Sequence, residues 1–316
     1  MENDFKIGVS ACLLGQKVRY DGGHKLDRFI TDTLGQYVSF VPVCPEAECG
    51  LGIPRESMHL EGEPEAPRLV TTRTRKDVTD QMLQWAGQRL PDLEKENLCG
   101  FIFKSKSPSS GMERVSVFNG EGMPVKKGSG LFAAAFMKHF PLVPVEDDGR
   151  LHDPKIRENF IERIFTLQRW RRIASGRKHI GDLVEFHTRH KLLILSHSEK
   201  HYRFMGKLVA AAKSYPAEEL FRIYEAALLE ALKHKSSIQK NVNVLQHLMG
   251  YFKKQISADE KQELLQILDE YRAGYVPLIV PVTLVNHYVR KYRQPYLGGQ
   301  FYLQPHPLAL QLRNHV

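Results

Sequence analysis

Three apolar, strand-like runs in the first half of the chain each end in small nucleophilic side chains at a turn. Val9-Ser10-Ala11-Cys12-Leu13-Leu14-Gly15 and Val41-Pro42-Val43-Cys44-Pro45-Glu46 deliver thiols, and Gly100-Phe101-Ile102-Phe103-Lys104 feeds Ser107-Pro108-Ser109-Ser110-Gly111. Strand-type segments at 5–9, 38–43, 100–103 and 115–118 alternate with helical stretches near 25–34, 77–90 and 130–139. That alternation predicts an α/β domain with a Rossmann-like parallel sheet covered on both faces. Ligands of such sheets sit beyond the carboxyl ends of the strands. Cys12, Cys44 and the 107–111 loop all stand at carboxyl ends, so topology alone predicts that they converge.

From Asp153 onward the pattern changes. Asp153-Pro154 is an N-cap and first-turn pair, followed by Ile156, Phe160, Ile164, Phe165 and Leu167 at helical spacing. Further helical stretches cover about 180–196, 199–213, 217–234, 238–254, 258–272 and 278–292, one of them opened by a capping box at Ser257-Ala258-Asp259-Glu260. No strand-type alternation, repeat or low-complexity tract interrupts them, so the second half is expected to be an all-α helical C-terminal domain. With 316 residues, more than one core usually absorbs, the expected domains are 1–150 and 151–316, joined near Glu146-Asp147-Asp148-Gly149.

The same numbers exclude some classes. No apolar stretch approaches the length needed to span a bilayer, and the acidic start Met1-Glu2-Asn3-Asp4 runs straight into a strand, unlike a signal peptide. Four cysteines at irregular spacing do not make a disulfide framework. A reducing, cytoplasmic setting with thiols free for metal or catalysis is the expectation.

Charge is distributed unevenly. Residues 1–150 carry 19 Lys+Arg against 21 Asp+Glu, whereas residues 151–316 carry 26 against 15, a net of +11. A solvated cationic face accounts for this, and so does a polyanion-binding domain, because clustered Lys and Arg gain from counterion release on phosphates. The densest stretch is Gln168-Arg169-Trp170-Arg171-Arg172 with Arg177-Lys178-His179, and Tyr288, Arg290, Lys291, Tyr292 and Arg293 repeat the mix near the C-terminus. Phosphate contacts with aromatic stacking suit RNA. His187, His190 and His197 have only Glu185 nearby as a further ligand type, so packing roles are expected of them. Gly120-Glu121-Gly122 and Gly128-Ser129-Gly130 read as tight turns. The second opens a helix whose N-terminus has the donors to bind a phosphate.

Without a CxxC pair or a histidine cluster, Cys12 and Cys44 do not fit structural zinc. Buried apolar thiols are the bland alternative. Thiolates brought from separate loops suit a soft metal or an iron–sulfur cluster. Around them stand Asp21 in Arg19-Tyr20-Asp21-Gly22-Gly23, Glu46 two residues after Cys44, Arg55 closing Gly50-Leu51-Gly52-Ile53-Pro54-Arg55, and Ser107. A carboxylate beside a metal centre can relay protons, and salt bridges or turn caps are the plainer uses of such residues.

These segments, together with Lys104-Ser105-Lys106-Ser107-Pro108-Ser109-Ser110-Gly111, resemble the bacterial thiouracil desulfidase family over roughly residues 5–145. The helical half, with Leu183-Val184-Glu185-Phe186-His187-Thr188-Arg189-His190-Lys191 and Asn243-Val244-Leu245-Gln246-His247-Leu248-Met249-Gly250-Tyr251-Phe252, resembles over most of 152–310 the domain fused to that module in desulfidases acting on 4-thiouridine of tRNA. The resemblance implies a 4Fe–4S cluster held by three cysteines, with one iron open to the thiocarbonyl sulfur. Water then replaces sulfide at the ring carbon without redox turnover, and the partner is tRNA containing 4-thiouridine. On this pattern Cys12 and Cys44 match two ligands, Glu46 the acid/base carboxylate, Ser107 a serine at the substrate, and Asp21 a proton-relay residue.

The third ligand departs from the pattern. The family reads Ser-Pro-Ser-Cys-Gly, and Ser110 stands at the cysteine position. A serine hydroxyl is much harder to deprotonate than a thiol and binds iron more weakly. A deliberate Cys→Ser change, a natural divergence with an altered or absent cluster, and replacement by Cys49 each account for it. Cys99 does not, because it precedes the strand that Ser110 follows. Two other functions stay open: an RNA-binding module on a degenerate, cluster-free first domain, and a desulfidase of free thiouracil whose helical half serves oligomerisation.

Overall fold

Lys6–Ser10 (β1) is buried along almost its whole length, as a central strand is, and the computed structural model, which describes residues 5–119 and 124–315, pairs it in parallel with Ser39–Val43 (β2) from Lys6↔Ser39 to Ser10↔Val43. After β2 the chain makes one helical turn, Pro45–Glu48 (α1), then a hairpin of Met58–Glu61 (β3) and Arg68–Thr71 (β4), and a long helix, Thr79–Lys95 (α2). Phe101–Phe103 (β5), Val115–Phe118 (β6), Pro124–Gly128 (β7), Leu131–His139 (α3) and Val145–Asp147 (β8) complete the first unit, residues 1–152.

The first sheet runs β2-β1-β5-β8 with every pair parallel. α2 and α3 cover one of its faces through Ala86, Leu90, Leu93, Phe132, Ala133 and Phe136. Aromatic rings dominate that layer: Phe101 and Phe103 stack at 4.3 Å, and Phe136 stands 4.7 Å from Phe101. Gly8 is what lets the rings lie flat on the sheet. A Cβ there would come within 2.2 Å of the Phe101 ring. The helix expected over 77–90 continues through Pro91 to Lys95, because Leu90 and Leu93 are both buried in this core.

One expectation changes. Val115–Phe118 belongs to a second, mixed sheet, β4-β3-β6-β7, whose core is Leu60, Leu69, Val78, Met82, Val115 and Val117. Its other strands are short and carry His59, Glu61, Arg68 and Lys126, so they give no hydrophobic alternation to read. The two units divide at His152/Asp153, just beyond the acidic run 146–149 that marked the expected junction. Val145–Asp147 is an edge strand of the first sheet, and Glu146 and Asp147 are buried. Gly120-Glu121-Gly122 lies outside the described residues.

The second unit, residues 153–316, contains no strand among its described residues. Asp153 caps Pro154–Ala174 (α4), accepting hydrogen bonds from the N–H groups of Lys155 and Ile156. Ile180–His197 (α5), Glu199–Ala210 (α6), Ala217–Lys233 (α7), Ile238–Phe252 (α8), Ala258–Ala273 (α9), Ile279–Lys291 (α10) and the single turn Pro295–Gly298 (α11) follow. The capping box of Ser257 and Glu260 is formed. Trp170 anchors the core, with Tyr224, Phe186 and Phe221 ring centres 5.0–5.3 Å away. No described helix is long and apolar enough to cross a membrane.

Candidate active site

The carboxyl ends of β1, β2 and β5 open onto one cavity of about 370 Å³. Cys12 follows β1 in a 3-10 turn closed by Gly15, whose φ of 84° lies in the left-handed region that favours glycine. Cys44 follows β2 directly, and its N–H donates to Glu48 Oε1 at 2.8 Å. The 107–111 loop follows β5. Cys12, Cys44, Glu46, Arg55, Ser107 and Ser110 all line the cavity, so the convergence expected from topology is present.

The loop is held by its own backbone and by the Ser107 hydroxyl, which accepts from the N–H groups of Ser109 and Ser110 at 3.3 and 3.1 Å. Gly111 N–H donates to Ser107 O at 2.8 Å, and the first N–H groups of α3 turn back onto the loop. Gly130 donates to Gly111 O, Leu131 to Pro108 O, and Phe132 and Ala133 to Ser109 O, at 2.7–3.3 Å. These are the donors a helix N-terminus leaves free. The phosphate role considered for Gly128-Ser129-Gly130 is therefore excluded, since the loop carbonyls occupy that terminus. Gly130 has no room for a side chain: a Cβ would stand 2.5 Å from the Ser109 carbonyl carbon.

A chain of polar contacts crosses the cavity wall. Ser107 and Ser109 hydroxyls are 2.9 Å apart, and Ser109 Oγ donates to Glu46 Oε1 in a short hydrogen bond. Glu46 Oε2 faces Cys44 Sγ at 3.5 Å and Arg55 Nη2 at 3.7 Å. Arg55 is held in turn by Val18 O at 3.0 Å and Gly52 O at 3.1 Å. Ser109 is the residue that sequence reasoning missed. Its role comes from touching Glu46 across 63 residues of chain, and no spacing signals that.

Burial, reinforced by the Glu46 charge, pushes the Cys12 thiol up to about 11 and the Cys44 thiol up to about 12. Two thiols so placed stay protonated near neutral pH unless a cation supplies the compensating charge, as metal binding does. Ser110 is 3% exposed, and its hydroxyl reaches Ser109 Oγ only at 3.4 Å, long for an O–H···O bond. Cys49 is not a replacement for it. Cys49 packs beside Leu51 against the second core, points its Sγ at Glu46 O at 3.4 Å, and is not among the cavity-lining residues. Cys99 is buried ahead of β5, at the opposite end from the cavity.

Asp21 is exposed and caps its own turn, accepting from Gly23 N–H at 3.0 Å, with Arg19 at 3.5 Å. It does not line the cavity, although Arg19 and Tyr20 do. The rim is basic: Arg19, Lys25, Lys104 and Lys106 line the opening against Glu56. Lys104 is tied to Asp148 at 2.7 Å. Burial works to raise the Asp148 carboxyl, but its hydrogen bonds from Lys104 and Ser105 overcome that and hold it low.

In the second unit the cationic residues read from sequence fall into different environments. Arg169 is an internal strut. Its guanidinium lies 4.0 Å over the Phe301 ring and donates to Pro305 O at 2.8 Å, so it is withdrawn from the candidate RNA contacts. Lys178 pairs with Glu218 at 2.5 Å and Lys291 with Glu260 at 2.6 Å. Arg172, Arg177 and Arg290 are exposed, and Arg171 is half-buried. The histidines pack as expected: His187 meets Tyr224 Oη at 3.0 Å, His190 stacks on Phe186 and Phe301, and His197 meets Glu162 at 3.0 Å.

Comparison with known proteins adds the following. The 2-thiouracil desulfurase family matches residues 7–148, and a family described only as a protein of unknown function, DUF1722, matches residues 191–307. Escherichia coli (strain K12) "Uncharacterized protein YbgA" is 33% identical over 153 residues, 48% of this chain and 90% of that protein. Bacillus subtilis (strain 168) "Uncharacterized protein YbbK" is 31% identical over 134 residues, 40% of this chain and 87% of that protein. A solved structure, the 4Fe–4S-dependent thiouracil desulfidase TudS (DUF523Vcz), shares 32% identity over 47% of this chain and 94% of its own, with a TM-score of 0.39.

Proposed function

We propose, for a chain that belongs to the 2-thiouracil desulfurase family and carries a DUF1722 domain after that module, that it desulfurates thiouracil-type bases, with 4-thiouridine in tRNA as its substrate. The observation that carries the reading is the meeting of Cys12, Cys44 and Ser110 with Glu46 and Ser107 around one 370 Å³ cavity at the sheet's carboxyl edge. The donor set fits a 4Fe–4S centre with two thiolates and, at the third corner, an oxygen. When bound, such a centre supplies a sulfur-seeking Lewis acid and one open coordination position.

The protein's own residues supply the remaining chemistry. Overall, water adds its oxygen at the ring carbon and sulfide leaves, so both protons of that water must leave its oxygen and depart with the sulfur as hydrogen sulfide, at least one of them through a base that takes up the proton and passes it on. Glu46 is placed to take and return that proton. Arg55 orients its Oε2, and Ser109 donates to its Oε1. Ser107, 2.9 Å from Ser109, extends this hydrogen-bonded chain along the cavity wall. The rim of Arg19, Lys25 and Lys106 supports a phosphate-bearing substrate over a free base, and the net charge of +11 on residues 151–316 supports a polynucleotide.

The test is anaerobic reconstitution with iron and sulfide, followed by incubation with tRNA containing 4-thiouridine and mass spectrometry of its nucleosides. Conversion to uridine, together with slower turnover of free thiouracil, supports the proposal. A Ser110→Cys form with full iron content that leaves both substrates untouched refutes desulfuration. Turnover of free thiouracil alone refutes the tRNA assignment. Ser110 itself favours a second reading, an RNA-binding protein whose first unit holds no cluster; absence of iron from both forms would support it.

A further inference from the structure

Two adjoining hollows in the second unit have no part in the chemistry above. One, of about 510 Å³, lies between α5 and α6 and is lined by Lys191, Tyr202, Arg203, Gly206 and Lys207, among others. The other, of about 550 Å³, shares Tyr202 and Arg203 and runs on to Lys240 and His247 of α8. Two of the cations here have structural work. Arg203 pairs with Glu199 at 2.6 Å, and Lys240 donates to His197 O and Lys235 O. Lys191 and Lys207 have no carboxylate partner among the described residues.

Aromatic rings border the same surface. Lys191 Nζ stands 5.2 Å from the centre of the Tyr296 ring. Tyr296 stacks on Tyr251 at 5.2 Å and 29°, and Tyr251 is 45% exposed. Tyr202, half-buried, lines both hollows. Gly206 is the other unusual feature. It sits inside α6, where alanine is the better helix former, and a Cβ there would meet nothing within 4 Å. The packing of the unit does not require this glycine. It leaves the helix backbone bare at the wall of the hollow, between Tyr202 and Lys207.

We infer that this surface docks an unpaired stretch of RNA, with a base stacking on the exposed Tyr251, phosphates paired to Lys191 and Lys207, and the nucleotide backbone passing over Gly206. Stacking platforms beside a few unpaired cations are the chemistry by which single strands are held without sequence readout. An acidic peptide would use the lysines and leave the tyrosine faces idle. The inference rests on the reading of the helical unit as the RNA-docking part, and it moves the contacts from the Arg169–Lys178 region and the end of α10 to α5, α6 and α8.

The test is fluorescence anisotropy of the full chain with an unmodified, labelled RNA of about 12 nucleotides, single-stranded or folded as a duplex, at about 50 and 200 mM salt. The parent should prefer the single strand. A Lys191→Gln/Lys207→Gln variant should bind about tenfold more weakly, with the slope of log K against log salt reduced by about 1.4. Tyr251→Ala should weaken binding about tenfold and leave that slope unchanged. Gly206→Gln should weaken binding while the helical circular dichroism is retained. Arg272→Gln, on the exposed part of α9, should bind as the parent does. Parent-like binding by the lysine and tyrosine variants overturns the inference. So does equal loss in Arg272→Gln, or competition by polyglutamate or duplex as effective as by single strand. Unmodified RNA needs neither iron nor sulfur chemistry, so a negative result here leaves desulfuration of the free base measurable by itself.

Discussion

Replacing Arg313 by methionine tests how the helical unit is held together. Arg313 Nε and Nη2 reach Glu158 at 3.1 Å and Glu162 at 2.9 Å, and Nη1 donates to Tyr302 O at 2.6 Å; all three side chains are buried. Methionine preserves most of the apolar stem and leaves two buried carboxylates with His315 at 3.4 Å from Glu158, His197 at 3.0 Å from Glu162, and His306 within 4.8 Å of both. Breaking a buried pair in this way costs about 3–5 kcal/mol. For a unit of this size that is a fall in Tm of roughly 8–16 °C. Burial works to raise both carboxyls. In the parent it wins at Glu158, with Glu162 adding to it, whereas at Glu162 the contacts from His197 and Arg313 hold the carboxyl down. Removing the guanidinium takes away part of what holds Glu162 down and lifts Glu158 further above the unfolded carboxylate value near ~4.3. The penalty is therefore small at about pH 5, where the carboxyls can be protonated, and grows as the pH rises toward 8. Calorimetry of the full chain at both pH values measures this. A loss under about 1 kcal/mol at pH 8, or the same loss at both pH values, would refute the account of a charge pair as the central tie.

Other consequences concern the cavity. Ser110→Cys should raise iron after anaerobic reconstitution toward about four per chain, measured with acid-labile sulfide; equal loading of parent and variant would mean the hydroxyl already suffices. Glu46→Gln should keep its iron and lose turnover by about 10²–10⁴-fold, with Ser109→Ala losing less; unchanged rates would remove the proton role. Gly130→Ala should displace the 107–111 loop, because the new methyl would stand 2.5 Å from the Ser109 carbonyl carbon. A stability loss of about 1–3 kcal/mol and reduced iron are expected, and a variant that loads iron normally would show that the loop tolerates the shift.

The sequence alone was enough to place three of the four parallel strands, their thiols and most of the helices. Those features are local: periodicity, caps at Asp153 and Ser257, and turn residues after each strand act within a few residues. It also marked Ser110 as the odd member of its motif and the second half as basic. The second sheet was not legible, because strands as short and polar as Met58–Glu61 take their conformation from their partners. Only tertiary structure decided that Ser109 donates to Glu46, that α3 uses its N-terminal donors to hold the serine loop, and that Cys49 faces a core. The same holds for Arg169. In the sequence it is one of three cations within four residues, but its guanidinium is stacked on Phe301, which lies 132 positions later. Charge and hydropathy are properties of residues, whereas exposure and partnership are properties of the packed chain, and a site made of contacts between distant segments depends on the second kind.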